Sequence, residues 1–179
     1  MGKSLRRYDT IIPGEKKRSS TPSFGIVDAQ SVKTQLASEE VGFDGGKKVK
    51  GRKRHIVVDI LGNLLHVSVH AANLSDTKQA GEVLERTVEK YPTIEALSGD
   101  GGYRGTAVDF VEERLNINLY ISMRIKDGFA VIPKRWIVER TFSWFGHFRR
   151  LSKDVEILTA TAENMVRIAM LKLTLAKCT

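Results

Sequence analysis

The chain has 179 residues, a net charge of +8 and one cysteine, Cys178. That length suits one domain able to bury about 70% of its unfolded surface. The lone cysteine excludes a disulfide framework, and four histidines without zinc-finger spacing exclude a structural zinc module. No apolar run reaches membrane-spanning length, because Arg167 and Lys172 interrupt the one long candidate, and the amino terminus lacks a signal-peptide core. A soluble cytoplasmic protein with no membrane partner is expected.

The charge is uneven. Residues 1–54 hold 13 Lys/Arg against 6 Asp/Glu, and a second concentration lies between 134 and 153, where six basic residues face Glu139 alone. Two focused basic patches point to a polyanionic partner, nucleic acid in the first instance.

Residues 1–23 are polar and basic and read as a flexible leader; residues 24–179 read as one folded domain. Phe24 to Ser31 is a short apolar run that predicts a central strand with Asp28 at its carboxyl end. From Val32 to Arg52 the glycines predict loop. That loop closes on Lys47, Lys48, Lys50, Arg52, Lys53 and Arg54, a block suited to follow a phosphate backbone. His55–Ile60 and Leu64–His70, joined through Gly62-Asn63, predict a β-hairpin. In its second strand His66, Ser68 and His70 alternate with Leu65, Val67 and Val69, which predicts one wet face and one buried face.

Asp76–Lys90 reads as a helix capped by Ser75 or Asp76, with Ala80, Val83, Leu84 and Val88 inward and Pro92 as its stop. Ile94–Gly99 is a strand delivering Asp100-Gly-Gly-Tyr-Arg-Gly105. A helix (Thr106–Leu115), a strand (Ile117–Met123) and a loop (124–133) follow. Residues 134–153 predict one amphipathic helix, burying Ile137, Thr141, Trp144, Phe148 and Leu151 and placing Glu139 in a row with Arg135, Ser143, Gly146, Arg150 and Lys153. A final helix capped by Thr161 offers Met165, Ile168, Ala169, Leu171 and Leu175 as its core stripe. A strand and hairpin followed by strand–helix alternation imply an α/β fold: a mixed sheet with helices on both faces.

Asp28 and Asp100 each follow an apolar strand. If those strands are adjacent and parallel, both acids emerge at one edge, and Glu139 on a helix across that edge completes a cluster. Converging carboxylates call for divalent cations, and an all-oxygen set selects Mg2+ or Mn2+. Two such ions can clamp the attacking and leaving oxygens of a phosphodiester displacement. Arg104, Arg135 and Arg150 are candidate phosphate contacts, joined on the helix by Lys153. Trp136 is a candidate for stacking on an unpaired base, against simple packing. The plain alternative for the Arg135–Glu139 spacing is a surface ion pair.

Four stretches, Asp28-Ala-Gln-Ser-Val-Lys33, Gly51 to Gly62, Gly99 to Gly105 and Arg135 to Trp144, resemble the catalytic domain of bacterial insertion-sequence transposases of the DDE class, which has an RNase H-like fold. The resemblance covers residues 24–177. It implies that Asp28, Asp100 and Glu139 are the catalytic, metal-binding triad and that magnesium is the cofactor. It further implies cleavage at element ends, joining of the 3′-hydroxyl to target DNA, and a homodimer or higher assembly on DNA, associated with the nucleoid. The chain departs from the wider group's Tyr-x2-Arg-x3-Glu-x6-Lys pattern at Ile132 and Gly146, while Arg135 and Glu139 fit it. The short basic leader stands where the family carries a helical DNA-recognition region. A second reading frame fused to an upstream polypeptide and a decayed fragment both fit that difference. A catalytically inactive DNA-binding fragment and an RNase H-like nuclease or resolvase are the competing functions.

Overall fold

The computed structural model describes residues 21–122 and 134–178. The basic leader up to residue 20, Met123, and the loop of 124–133 with Ile132 lie outside the described residues.

A six-stranded mixed sheet organises the chain. Its central strand β1 (Phe24–Lys33) is flanked on one side by β3 (Val49–Val58), antiparallel, and on the other by β5 (Ala96–Gly99), parallel. Beyond β5 lies β6 (Asn118–Ile121), also parallel. The far edge of β3 carries β4 (Leu64–Ala71) along most of its length and the short β2 (Gly42–Asp44) at its start. Alternation in β1 explains why both faces are covered. Ile26 joins Ile56 and Val58 in one apolar cluster, and Val27 joins Val57 and Leu97 in the other.

The second cluster is roofed by α1 (Asp76–Lys90) and α2 (Thr106–Arg114). α1 begins as expected, with the Ser75 hydroxyl accepting from the Lys78 N–H, and it buries Ala80, Val83, Leu84 and Thr87. The first cluster is roofed by α3 (Arg135–Phe145), α4 (Arg149–Ser152) and α5 (Thr159–Leu175).

Four expectations need correction. The stretch 32–52 is not loop throughout: it holds the end of β1, all of β2 and the start of β3, and its glycines allow close strand approach. A Cβ on Gly51 would meet the Val32 carbonyl oxygen at 2.0 Å, so only glycine fits where β1, β2 and β3 meet. The tight turn before β3 is tied by Asp44, whose Oδ1 accepts from the Gly46 and Lys47 N–H groups and whose Oδ2 accepts from the Ser31 hydroxyl.

The helix expected over 134–153 is broken in two. Gly146 ends α3, tight turns carry the chain through His147, and Phe148 is extended before α4. Glycine's low helix propensity favours an end here, and Arg54 pins the second piece by donating from Nη1 to the Leu151 carbonyl at 2.6 Å. Arg150 and Lys153 therefore leave the face that carries Glu139.

In α5 the buried stripe is Ala162, Val166, Ala169 and Met170, whereas Ile168, Leu171 and Leu175 are exposed. The helix starts earlier than expected, at Thr159, whose N–H and hydroxyl both donate to the Glu39 carboxylate. These bonds hold Glu39 below the usual carboxylate range. Finally, the histidine face of β4 is not wholly wet: α1 covers it, and His70 is buried.

Candidate active site

Asp28 lies in mid-strand, not at a strand end, and the neighbouring strand makes its position an edge. Pairing of β1 with β5 stops at Ile26–Ser98, and β5 ends at Gly99, while β1 stays paired with β3 to Lys33. The sheet therefore splits between Asp28 and Asp100. Continuing the parallel register two residues sets these acids opposite one another, on the Ile26 face that α3 covers.

Each carboxylate is held differently. Asp28 is largely buried, accepts the Ala29 N–H at 2.8 Å, and has its pKa raised to about 6, chiefly by burial and further by the charge of Asp100. Asp100 caps its own turn: its Oδ1 accepts the Gly102 N–H at 2.8 Å, which leaves Oδ2 for another partner. Glu139, on α3, is 54% exposed.

Arg135 joins the last two. Its Nη2 lies 3.6 Å from Asp100 Oδ2, and its Nε lies 3.0 Å from Glu139 Oε1. A guanidinium thus fills the space between two of the three expected ligands. Among the described residues no three acidic, histidine or cysteine side chains stand close enough to cage a metal ion. The chemistry of the donors nonetheless suits a hard divalent cation: two acids share a split sheet edge, one with a raised pKa, and the third already faces a cation. Glu139 would have to release Arg135 to join them.

The basic residues divide. Lys47, Lys48 and Lys50 are exposed, and Lys47 donates from Nζ to the Ala29 carbonyl at 3.2 Å, beside Asp28. Arg104 is exposed just past the Asp100 turn. Arg52, Lys53 and Arg54, expected on phosphates, are instead buried in the fold. Arg52 donates to the carbonyls of Glu39, Glu156 and Ile157 and pairs with buried Asp154 at 3.3 Å, stitching the segments before β2 and before α5 together. Lys53 bonds the Leu74 carbonyl and Asp76 at the start of α1, both at 2.8 Å. Burial lowers the Arg54 pKa to about 10. The reason for the correction is packing: from Arg52 onward β3 is paired on both edges and covered on both faces, so those side chains cannot reach a bound backbone, whereas Lys50 at its start stays exposed.

Away from the split, Arg150 pairs with Glu156 at 2.6 Å, and Lys153 is exposed after α4. Trp136 is exposed, but Arg140 covers one ring face at 4.6 Å and stacks equally on Trp144 at 4.5 Å.

Sequence reasoning missed Tyr103, His55 and His70. Tyr103 is buried under the Asp100 turn with its hydroxyl 2.8 Å from His55 Nε2, and His55 Nδ1 lies 3.5 Å from His70 Nε2. The available signal was the alternation of His66, Ser68 and His70 with apolar residues on β4, which is also how a wet face reads; His55 and Tyr103 carried no such signal.

The description "Transposase DDE domain" belongs to the family model that matches residues 19–172. A relative from Burkholderia cepacia, named as a transposase for insertion sequence element IS402, is 32% identical over 113 residues, covering 56% of this chain and 52% of that protein. The chain thus spans about half the length of that relative. In the crystal structure of the BIV integrase catalytic core domain, 82% of that chain superposes on 84% of this one with a TM-score of 0.51 at 14% identity. That likeness concerns the fold, an RNase H-like mixed sheet with helices. The match over residues 19–172 establishes that this chain belongs to the DDE-domain transposases.

Proposed function

We propose that this domain performs metal-dependent cleavage of DNA at the ends of an insertion element and joins the freed 3′-hydroxyl to target DNA. The observation that carries this reading is the split between β1 and β5, which sets Asp28 and Asp100 side by side beneath the helix bearing Glu139. These three acids would hold Mg2+ or Mn2+, in one or two ions. Bound there, the metal would supply Lewis-acid activation of a phosphodiester.

The chain's own residues do the rest. Asp28 and Asp100 present negative charge from a rigid sheet edge, with Asp100 oriented by its bond to the Gly102 N–H. Arg135 holds Glu139 and Asp100 together before loading; released, its guanidinium is placed to meet phosphate oxygens. Lys47, beside Asp28, and exposed Arg104 extend the positive rim for the DNA backbone, with Lys48 and Lys50 farther along the same turn and strand. Work on two element ends requires a homodimer or larger assembly on DNA.

Incubation with DNA carrying the element's ends and Mn2+ or Mg2+ tests the reading. Nicked and joined products are expected from the native chain and none from Asp100→Asn. Equal activity in that variant would sink the assignment. The tie between Glu139 and Arg135 favours one alternative, a DNA-binding form without catalysis. DNA retention with no product under any divalent ion would establish it.

A further inference from the structure

A hydrogen-bonded chain runs under the candidate site through groups that take no part in it. At its far end His70 Nδ1 lies 3.1 Å from the Ala71 carbonyl, which can only accept, so His70 carries its proton on Nδ1 and offers Nε2 as an acceptor. His55 Nδ1, 3.5 Å away, must then donate, and His55 Nε2 accepts in turn. The Tyr103 hydroxyl, at 2.8 Å, fills that acceptor. Every member is neutral in this arrangement, as burial of His55 and Tyr103 requires. Tyr103 closes the turn that begins at Asp100, with its N–H bonded to the Asp100 carbonyl at 3.1 Å. The same turn is tied from α1, where the Thr77 hydroxyl donates to the Gly102 carbonyl at 2.8 Å. Gly99 leaves room for this packing: a Cβ there would lie 2.9 Å from the Tyr103 ring.

We propose that Tyr103, braced by His55 and His70 from β3 and β4, and Thr77 from α1 are positioning residues that fix the Asp100 turn. They keep Oδ1 on the Gly102 N–H and turn Oδ2 toward Arg135 and the split. The proposal rests on reading Asp100 as a metal-binding acid, and it assigns that orientation to two tethers rather than to the acid's own bond alone.

Amide hydrogen exchange on the metal-free 179-residue chain reads the tethers directly, because the Gly102 N–H is held by Asp100 itself. In Tyr103→Phe, and separately in Thr77→Val, the Gly102 amide should exchange about two- to tenfold faster, the range expected for losing one hydrogen bond. Protection within β3 and α2 should be unchanged, and Thr77→Ser should restore native exchange. Calorimetric Mn2+ affinity should fall by a similar factor in Tyr103→Phe. Native Gly102 exchange in both variants would overturn the proposal, as would faster exchange with unaltered Mn2+ affinity. If Tyr103→Phe does not fold, the Thr77 pair decides by the same amide. If the native chain takes up no Mn2+ while Gly102 exchange responds as expected, the tethers stand and the metal-binding reading of Asp100 fails.

Discussion

Two neighbouring strands carry buried charge on different terms. On β3, Arg52 has no exposed surface, and all three of its guanidinium nitrogens are hydrogen-bonded, to three carbonyls and to the equally buried Asp154. On β1, Asp28 is also largely buried, but its main polar neighbours are one N–H, its own successor's, and a second acid, and its pKa rises to about 6. One charge is saturated from within the fold. The other is left short of a positive partner, with Lys47 bonded to a carbonyl beside it and Arg135 engaged on Asp100 and Glu139. A charge that only holds the fold together has its partners built in; a charge kept for a ligand does not.

Removing each charge should therefore have opposite effects. The largest change is expected at Arg52. Arg52→Leu strands Asp154 and three carbonyls, and chemical denaturation should show a loss of about 3–5 kcal/mol; a loss below about 1 kcal/mol would mean the pair is not structural.

Next comes Asp28→Asn, which should stabilise the metal-free protein by about 1–2 kcal/mol at pH 7.5, after discounting a raised pKa for partial solvent access. The sign follows from linkage. A folded pKa near 6 against an ordinary value of 3.8 means that ionising Asp28 costs stability, fully so above pH 6. The gain should shrink as pH falls from 6 and vanish near 4. His55 acts in the opposite sense: burial lowers its pKa to about 3, so acidification below 6.5 destabilises the native chain through it. Comparing the Asn variant with native protein at each pH cancels that contribution. A variant less stable than native at pH 7.5 would break the comparison.

The smallest effect concerns the exposed part of the basic block. Neutralising Lys47, Lys48 and Lys50 should leave melting nearly unchanged while flattening the salt dependence of DNA binding, by up to about 0.9 per lost phosphate contact. An unchanged slope would reduce these lysines to surface.

Much of this was legible in the residues. The Ser75 cap, the inner stripe of α1 and the order of strand, hairpin, helix and strand follow from period and punctuation alone. So does the mixed sheet, confirmed by the likeness to an integrase core. The acids at 28 and 100 could be paired only on the condition that their strands were adjacent, and the register now meets that condition. What sequence could not give was burial on β3. Lys-Gly-Arg-Lys-Arg looks like a solvated loop because its partners, Glu39, Leu74, Asp154 and Ile157, are scattered along the chain and come together only in the fold. The break at Gly146 was hidden for a similar reason. Helical periodicity continues through it, and the bond from Arg54 to Leu151 that holds the second piece is nearly a hundred residues long-range. The row of Arg135 and Glu139 survives that break; Arg150 and Lys153 do not belong to it.

The central claim is that Asp28, Asp100 and Glu139 together bind a divalent metal. Calorimetric titration of Mn2+ at pH 7.5 into the native chain, Asp28→Asn, Asp100→Asn and Glu139→Gln tests it most directly. Saturable binding to the native chain, weakened at least about tenfold in each variant, is the predicted result. No uptake by the native chain, or native affinity in Asp28→Asn and Asp100→Asn, would contradict it.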